Sequence, residues 1–368
     1  MPKRVPACLL LTMLALATLA AQGPSSPQPT LTPQNSGTTN SLIAVSPVND
    51  RVVWASGRNG TFTVTTDGGD TWRAGTVKGA ESLEFRDVQA VSDKIAYLLS
   101  VGKEPGDFRI YKTEDGGATW TMQFHNQLAD AFYDCFAFWT PQRGIAVSDS
   151  VNGVFPDVRT TDGKTWDSIS KNMPAALPGE GSFASSGTCV ATQGKNNGWI
   201  TTGNAPTARV LVTRDGGKTW SAHSTPLASS SGAGAFSVAF RDAQNGMLGG
   251  GDLNPKNPDH AATAISHDGG KTWTVTSAPP VTGAIFGLSY LSNTTGVSEH
   301  RGAGRNYERA VVITANTGGA AWSPDEGTTW YKLPDVSGYW GVAFANPQAG
   351  WLVGTKGKIL KIRFGGSD

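Results

Sequence analysis

Glu299, His300 and Arg301 stand in a row. A carboxylate, an imidazole and a guanidinium side by side can supply a general acid or base and an anion contact. Strand alternation would put Glu299 and Arg301 on one face and His300 on the other. Arg305, Tyr307 and Arg309 follow closely, while Arg58, Asp149, Asp252 and His260 lie in other loops that could face the same place. Glycoside hydrolysis needs two carboxyls at a set separation, so Glu299 with Asp149 or Asp252 is the pair to consider. The plainer reading is a local Glu299–Arg301 pair, since a buried carboxylate needs a partner in any case. The residues favour the plainer reading.

Other chemistries find less support. The histidines are scattered, and no His, Cys or carboxylate spacing matches a metal ligand set. The glycines sit in hairpins, and none forms a phosphate loop between a strand and a helix. There is no Gly-x-Ser-x-Gly elbow. No cofactor is expected.

The elements that must position these residues come from a repeat. Six segments follow Ser/Thr-x-Asp-x-Gly-x-Thr-Trp: Thr65–Trp72, Thr113–Trp120, Thr160–Trp166 (one residue short), Thr213–Trp220, Ser266–Trp273 and Ser323–Trp330. Their aspartates are Asp67, Asp115, Asp162, Asp215, Asp268 and Asp325, at intervals of 48, 47, 53, 53 and 57 residues. A period near 50 with strand-like content reads as propeller blades. In each box the Asp accepts hydrogen bonds from downstream N–H groups and closes a turn, and the Gly supplies a positive φ. The Trp, at 72, 120, 166, 220, 273 and 330, supplies apolar area to seal the blade. The boxes are therefore read as structural corners rather than catalytic carboxylates.

Upstream of each box an alternating strand, a short turn and a second apolar strand recur. The pairs are Leu42–Val45 with Val52–Ala55, Phe85–Val91 with Ile95–Leu99, and Phe132–Phe138 with Gly144–Ser148. Next come Thr188–Thr192 with Gly198–Thr202, Phe236–Phe240 with Gly246–Gly250, Phe286–Tyr290 with Gly296–Ser298, and Trp340–Phe344 with Gly350–Gly354. Seven pairs for six boxes predict an all-β, seven-bladed propeller of four-stranded blades. Its last blade lacks an outer strand after Lys358–Phe364. Residues within Thr30–Thr39 can supply that strand and close the ring, which removes exposed sheet edges. Aligned on their leading glycines, the second strands carry small or apolar residues three to five positions on. Blade six is the exception, with Glu299, His300 and Arg301. These would sit at the mouth of the central channel, on the face opposite the boxes, where the longer loops lie.

Lys3 and Arg4 precede an apolar run from Ala7 to Ala20, the pattern of a cleavable leader. Residues 1–21 are expected to be a signal peptide, 22–40 a Pro/Ser/Thr-rich lead-in, and 41–366 the propeller, exported to the periplasm or outside. Of 30 basic residues, removing Lys3 and Arg4 leaves 28 against 29 acidic. That balance gives no case for nucleic acid or an anionic membrane. No later apolar run is long enough to cross a bilayer, and a monomer is expected.

The boxes are those of the bacterial-neuraminidase-repeat, or Asp-box, propellers. The single ring, leader and spacing resemble the photosystem II stability/assembly-factor-like branch over nearly the whole mature chain. That resemblance implies a binding propeller that meets a membrane-protein partner through an arginine-lined patch, here Arg58, Arg86, Arg301 and Arg305. Sialidases, xyloglucanases and sortilin-type receptors carry the same box, so it speaks to fold more than to function. The sialidase resemblance implies an Arg-Ile-Pro signature; Phe108-Arg109-Ile110 is followed by Tyr111, so the signature is absent. A xyloglucanase-type enzyme would use two facing propellers, for which the chain is too short.

Cys135 and Cys189 are the mature cysteines. Export favours a disulfide. The strand alignment places them in the slot of Val88, Val238, Leu288 and Val342 in adjacent blades. Sheets pack about 10 Å apart and a disulfide needs closer Cα atoms, so the alignment leans to two buried thiols. The expected role is a non-catalytic scaffold holding a protein or peptide on the loop face. The alternative is a carbohydrate-active enzyme centred on Glu299, His300 and Arg301, or a carbohydrate-binding propeller.

Overall fold

The computed structural model describes residues 28–254, 256–257, 260–292 and 307–365. Seven four-stranded antiparallel sheets form a ring of blades. Blade 1 shows the plan: Leu42–Pro47 innermost, then Val53–Gly57, Thr61–Thr65 and Arg73–Thr76 outermost. The second and third strands are buried throughout and the outer strand is largely exposed. Runs such as Val53-Trp54-Ala55 suit strands covered on both faces.

Each box is the hairpin between a third and an outer strand. In the first, Asp67 Oδ1 accepts Thr71 N–H at 3.0 Å and Oδ2 accepts the Thr71 hydroxyl at 2.5 Å. The Thr65 hydroxyl donates to Asp67 Oδ1 at 2.7 Å and accepts Gly69 N–H at 2.9 Å. The same stitching recurs at Asp115, Asp215 and Asp268. The shortened box keeps it through Asp162 and Thr165. Every box tryptophan packs into a cluster shared with the preceding blade. Trp72 lies with Trp351, Trp120 with Trp54, Trp166 with Tyr97, Trp220 with Ile145, Trp273 with Trp199 and Trp330 with Met247.

The ring closes as the strand count requires. Thr30–Asn35 pairs antiparallel with Lys358–Arg363 and completes blade 7. Lys361 Nζ then donates to Gly68 O of blade 1 at 2.8 Å, and Trp72 Nε1 to Gln34 Oε1 at 3.2 Å. Similar latches join Arg73 to Gly116 O and Arg214 to Gly269 O. Box glycine carbonyls thus bind the blades edge to edge.

Two expectations are corrected. Blade six does not use Gly296–Ser298 as its second strand: Gly287–Tyr290 pairs with Val311–Thr314, Leu288 opposite Ile313. The alignment that set Glu299, His300 and Arg301 in an inner strand therefore fails. The leading-glycine rule misled because this second strand begins on Val311.

The cysteines, second, form a disulfide, with Cα atoms 6.1 Å apart. The assumed slot was one residue out. Val88 opposes Leu98, whereas Cys135 opposes Val147, which aligns with Leu99, the partner of Asp87. A one-residue slip turns a side chain to the other face. The cysteines share the slot of Asp87, Ser237, Gly287 and Gly341, where neighbouring blades come close. A Cβ on Gly341 would lie 2.6 Å from Ile43 O.

Candidate functional site: the loop-face mouth

Box hairpins back onto the turns between inner and second strands, as where Gly68 N–H meets Arg51 O at 2.8 Å. The opposite end of the ring carries the second-to-third loops and the connections between blades. Near this loop face the inner strands of five blades share a β-bulge, in which two residues oppose one. Bulges re-aim a side chain. The inserted residues are Ile43, Arg86, Asp134, Phe236 and Trp340.

Across this mouth runs a strap, Gly181–Thr188, from the long connection between blades 3 and 4. Ser182 N–H donates to Asp149 Oδ1 of blade 3 at 2.9 Å. Arg86 Nη1 of blade 2 donates to Ala184 O at 3.0 Å. The hydroxyls of Ser185, Ser186 and Thr188 point at Phe286 O of blade 6, at 3.3, 2.5 and 3.0 Å. Blades 2 and 6 are not neighbours, so one segment touching both must cross the axis. The channel beneath is a cavity of about 160 Å³ lined by the inner strands.

One side of the mouth is aromatic. Phe183 of the strap stacks on Phe236 with centroids 3.7 Å apart, Phe236 meets Phe286 at 5.8 Å, and Phe286 stacks on Trp340 at 5.1 Å. Phe286 and Trp340 are half-buried. The other side is charged. Glu84 bridges Arg58 at 3.3 Å and Arg86 at 2.8 Å.

Behind the arginines lie three carboxyls. Burial pushes Asp157 up to about 8, although its Oδ1 accepts Ser148 N–H at 2.9 Å. Burial also raises Asp149, to about 6. Asp134 is raised well above the usual range, first by burial and then by the charges of Asp149 and Asp157; Arg86 opposes the shift. No hydrogen-bond partner meets Asp134 Oδ2, and the raised pKa favours its neutral form.

Among the described residues, the expected site residues fall in two places. Arg58 and Arg86 reach the mouth through Glu84, and Asp149 holds the strap from below. Asp252 belongs to its own loop on blade 5, accepting Asn254 N–H at 2.8 Å and Asn257 Nδ2 at 2.6 Å, with His260 Nδ1 at 3.4 Å. These bonds, Asn257 first, lower its pKa. Glu299, His300, Arg301 and Arg305 lie outside the described residues. On either side of the undescribed residues, Tyr290 OH and Arg309 Nε both donate to Glu326 of the sixth box, at 2.9 Å each. The mouth is therefore built from residues that reading for catalytic types passed over: Asp134, Phe236, Trp340 and the strap. Their signal was the long Ser168–Val190 connection with its small-residue run. Among the described residues no group of three or more His, Cys, Asp or Glu is placed to hold a metal ion. No helix among them is long and apolar enough to cross a membrane.

The BNR/Asp-box repeat model matches residues 211–222 and 264–275. The chain is a seven-bladed propeller whose fourth and fifth boxes match the BNR/Asp-box repeat. No curated protein matches it in sequence. Among solved structures this Asp-box propeller is similar to "YCF48 bound to D1 peptide", with 17% identity and a TM-score of 0.63 over 92% of this chain and 100% of the other. It is similar to YCF48 from Cyanidioschyzon merolae at 17% identity and TM-score 0.59, over 90% and 98%. The WD40 propeller domain of Doa1 follows at 12% and 0.52, over 91% and 98%. At these identities the likeness speaks to fold.

Proposed function

We propose that this chain is an exported, non-catalytic propeller that holds a protein or peptide partner on its loop face, in the manner of an assembly factor. One observation carries the reading: the mouth already holds a stretch of polypeptide. The strap is met there by a guanidinium, a carboxylate, a backbone carbonyl and a stacked ring, the contacts a peptide groove offers. Half-buried Phe286 and Trp340 beside the Arg58–Glu84–Arg86 chain extend that surface, and aromatic and arginine side chains are the usual anchors of interfaces. A structural neighbour described as bound to a peptide lends support at the level of fold. The leader-like Lys3–Ala21 segment supports export.

The test is capture by immobilised protein from an envelope extract of its own cell. A partner retained by wild type should be lost on Trp340→Ala and on Arg58→Glu, and kept on Lys271→Glu at the box face. Equal retention by all four proteins would overturn the reading. So would turnover of a sialoside, β-glucan, xyloglucan or uronic-acid polymer.

A further inference from the structure

We propose that the Gly181–Thr188 strap is a displaceable self-ligand: it fills a groove across the mouth that takes a short peptide bearing an aromatic residue followed closely by hydroxyl residues. The inference rests on the loop-face reading above and names the partner's chemistry.

The strap is in the mouth but not in the sheet. Between Ser182 and Thr188 the sole internal backbone bond is Ser185 N–H to Phe183 O, at 2.8 Å. Thr188 O accepts Val238 N–H at 2.9 Å at the end of the strap, and side chains hold the residues between. Phe183 lies on Phe236, Ala184 O takes Arg86, and three hydroxyls share Phe286 O. Ser186 Oγ and Thr188 Oγ1 also lie 2.8 Å apart, so one can donate to the other and Phe286 O need serve only two donors. The middle of the strap is buried but has no sheet bonds; it is held by one ring, one guanidinium bond and hydroxyls gathered on one acceptor.

Its ends are held firmly. Gly181 exchanges backbone bonds with Gly203, at 3.2 and 2.8 Å, and Ser182 N–H meets Asp149. The residue after Thr188 is Cys189, bonded to Cys135. A segment pinned at both ends and lightly held between them can lift without leaving the ring. While tethered it competes with any partner at a local concentration on the order of millimolar. A partner therefore binds in proportion to the open fraction.

The contacts define what replaces it. An aromatic ring takes the Phe236 face, the next carbonyl takes Arg86, and serine or threonine hydroxyls take Phe286 O. The strap's own sequence, Gly-Ser-Phe-Ala-Ser-Ser-Gly-Thr, is the first such ligand.

The test needs no natural partner. The fluorescently labelled free peptide GSFASSGT is titrated with the full mature chain and read by anisotropy. Wild type should bind it at least about tenfold more weakly than Phe183→Ala, in which the strap has lost its ring. The double variant Ser185→Ala/Ser186→Ala should also bind better than wild type and guards against misfolding of the first. Adding Phe236→Ala to Phe183→Ala should abolish binding. Folded variants that bind no better than wild type would overturn the inference, as would binding that survives Phe236→Ala. The capture experiment turns on Arg58 and Trp340 and this one on the chain's own peptide, so either can fail alone.

Discussion

The two ends of the ring use the same side chain in opposite ways. On the box face, aspartates at Asp115, Asp215 and Asp268 titrate at about 2, held down by threonine hydroxyls and N–H groups of their own hairpins. At the loop face, burial drives Asp149 up to about 6 and Asp157 up to about 8, and Asp134 is raised well above the usual carboxylate range. A carboxylate that is repeated, exposed and fully bonded builds structure. One that occurs in a single blade, buried and short of donors, marks a place where the fold tolerates a cost. Such costs collect where a surface is shaped for something else.

The largest consequence is in the dependence of stability on pH. A carboxyl raised on folding contributes most while protonated, below its unfolded value near 3.8, and that contribution is lost as pH rises through the folded value. For Asp149 and Asp157 the loss runs from about 4 to about 6 and about 8. The box aspartates act the other way: their contribution is present above 3.8 and lost as pH falls toward about 2. Stability should therefore peak near pH 4 to 5 and decline toward pH 8. Asp157→Asn keeps an acceptor for Ser148 N–H and should remove up to about 5 kcal/mol of that decline. Denaturation midpoints at pH 5 and 8, for wild type and variant, read it directly. A flat wild-type profile would erase the contrast between the faces.

The sequence carried the repeated end of this contrast and not the other. Box spacing located six hairpins, their tryptophans and the missing outer strand that Thr30–Asn35 supplies, because each recurs and each does local work. The mouth was illegible for the converse reason. Asp134 gains its meaning from Asp149, across a bulged hairpin, and from Arg86, which reaches it only through the ring. Bulges at Arg86, Asp134, Phe236 and Trp340 shift alignments by one residue, the same slip that misplaced Cys135. Glu299, His300 and Arg301 drew attention through residue type alone, on a strand assignment that Val311–Thr314 replaces.

The box face has one exception, which sharpens the comparison. Where other boxes place Gly at φ near +75° (Gly216 at 74°, Gly116 at 76°), the sixth places Glu326 at +55°. A side chain in this region costs roughly 1–2 kcal/mol. Glu326 is nonetheless buried, taking Arg241 Nε at 2.8 Å, Tyr290 OH at 2.9 Å and Arg309 Nε at 2.9 Å. Glu326→Gly restores the preferred residue and relieves the strain, yet takes the shared buried acceptor from Tyr290, Arg309 and Arg241, the last of which keeps Asp242. Losing one partner of such a cluster costs about 3 kcal/mol or more. The variant should be less stable by chemical denaturation, by about 2 kcal/mol net. A gain would show the sixth box to be an ordinary corner.

The smallest effect is expected where the motif is most conspicuous. Asp115 takes Thr119 N–H at 2.8 Å and the Thr119 hydroxyl at 2.5 Å, and receives the Thr113 hydroxyl at 2.8 Å. In Asp115→Asn the side chain keeps an Oδ1 for the backbone donor, and its amide can donate to the Thr119 hydroxyl as acceptor. The hairpin should survive at pH 7 with little change. The difference should emerge in acid, where the Asp115 contribution is lost as pH falls toward about 2. The substituted amide has no proton to take up and keeps its bonds there. Midpoints for wild type and Asp115→Asn should therefore match at pH 7 and separate toward pH 2.5, with the variant the more stable. A large loss at pH 7 would mean that the charge itself, rather than the acceptor geometry, holds the corner. The box carboxylates would then need the same electrostatic accounting as those beneath the mouth.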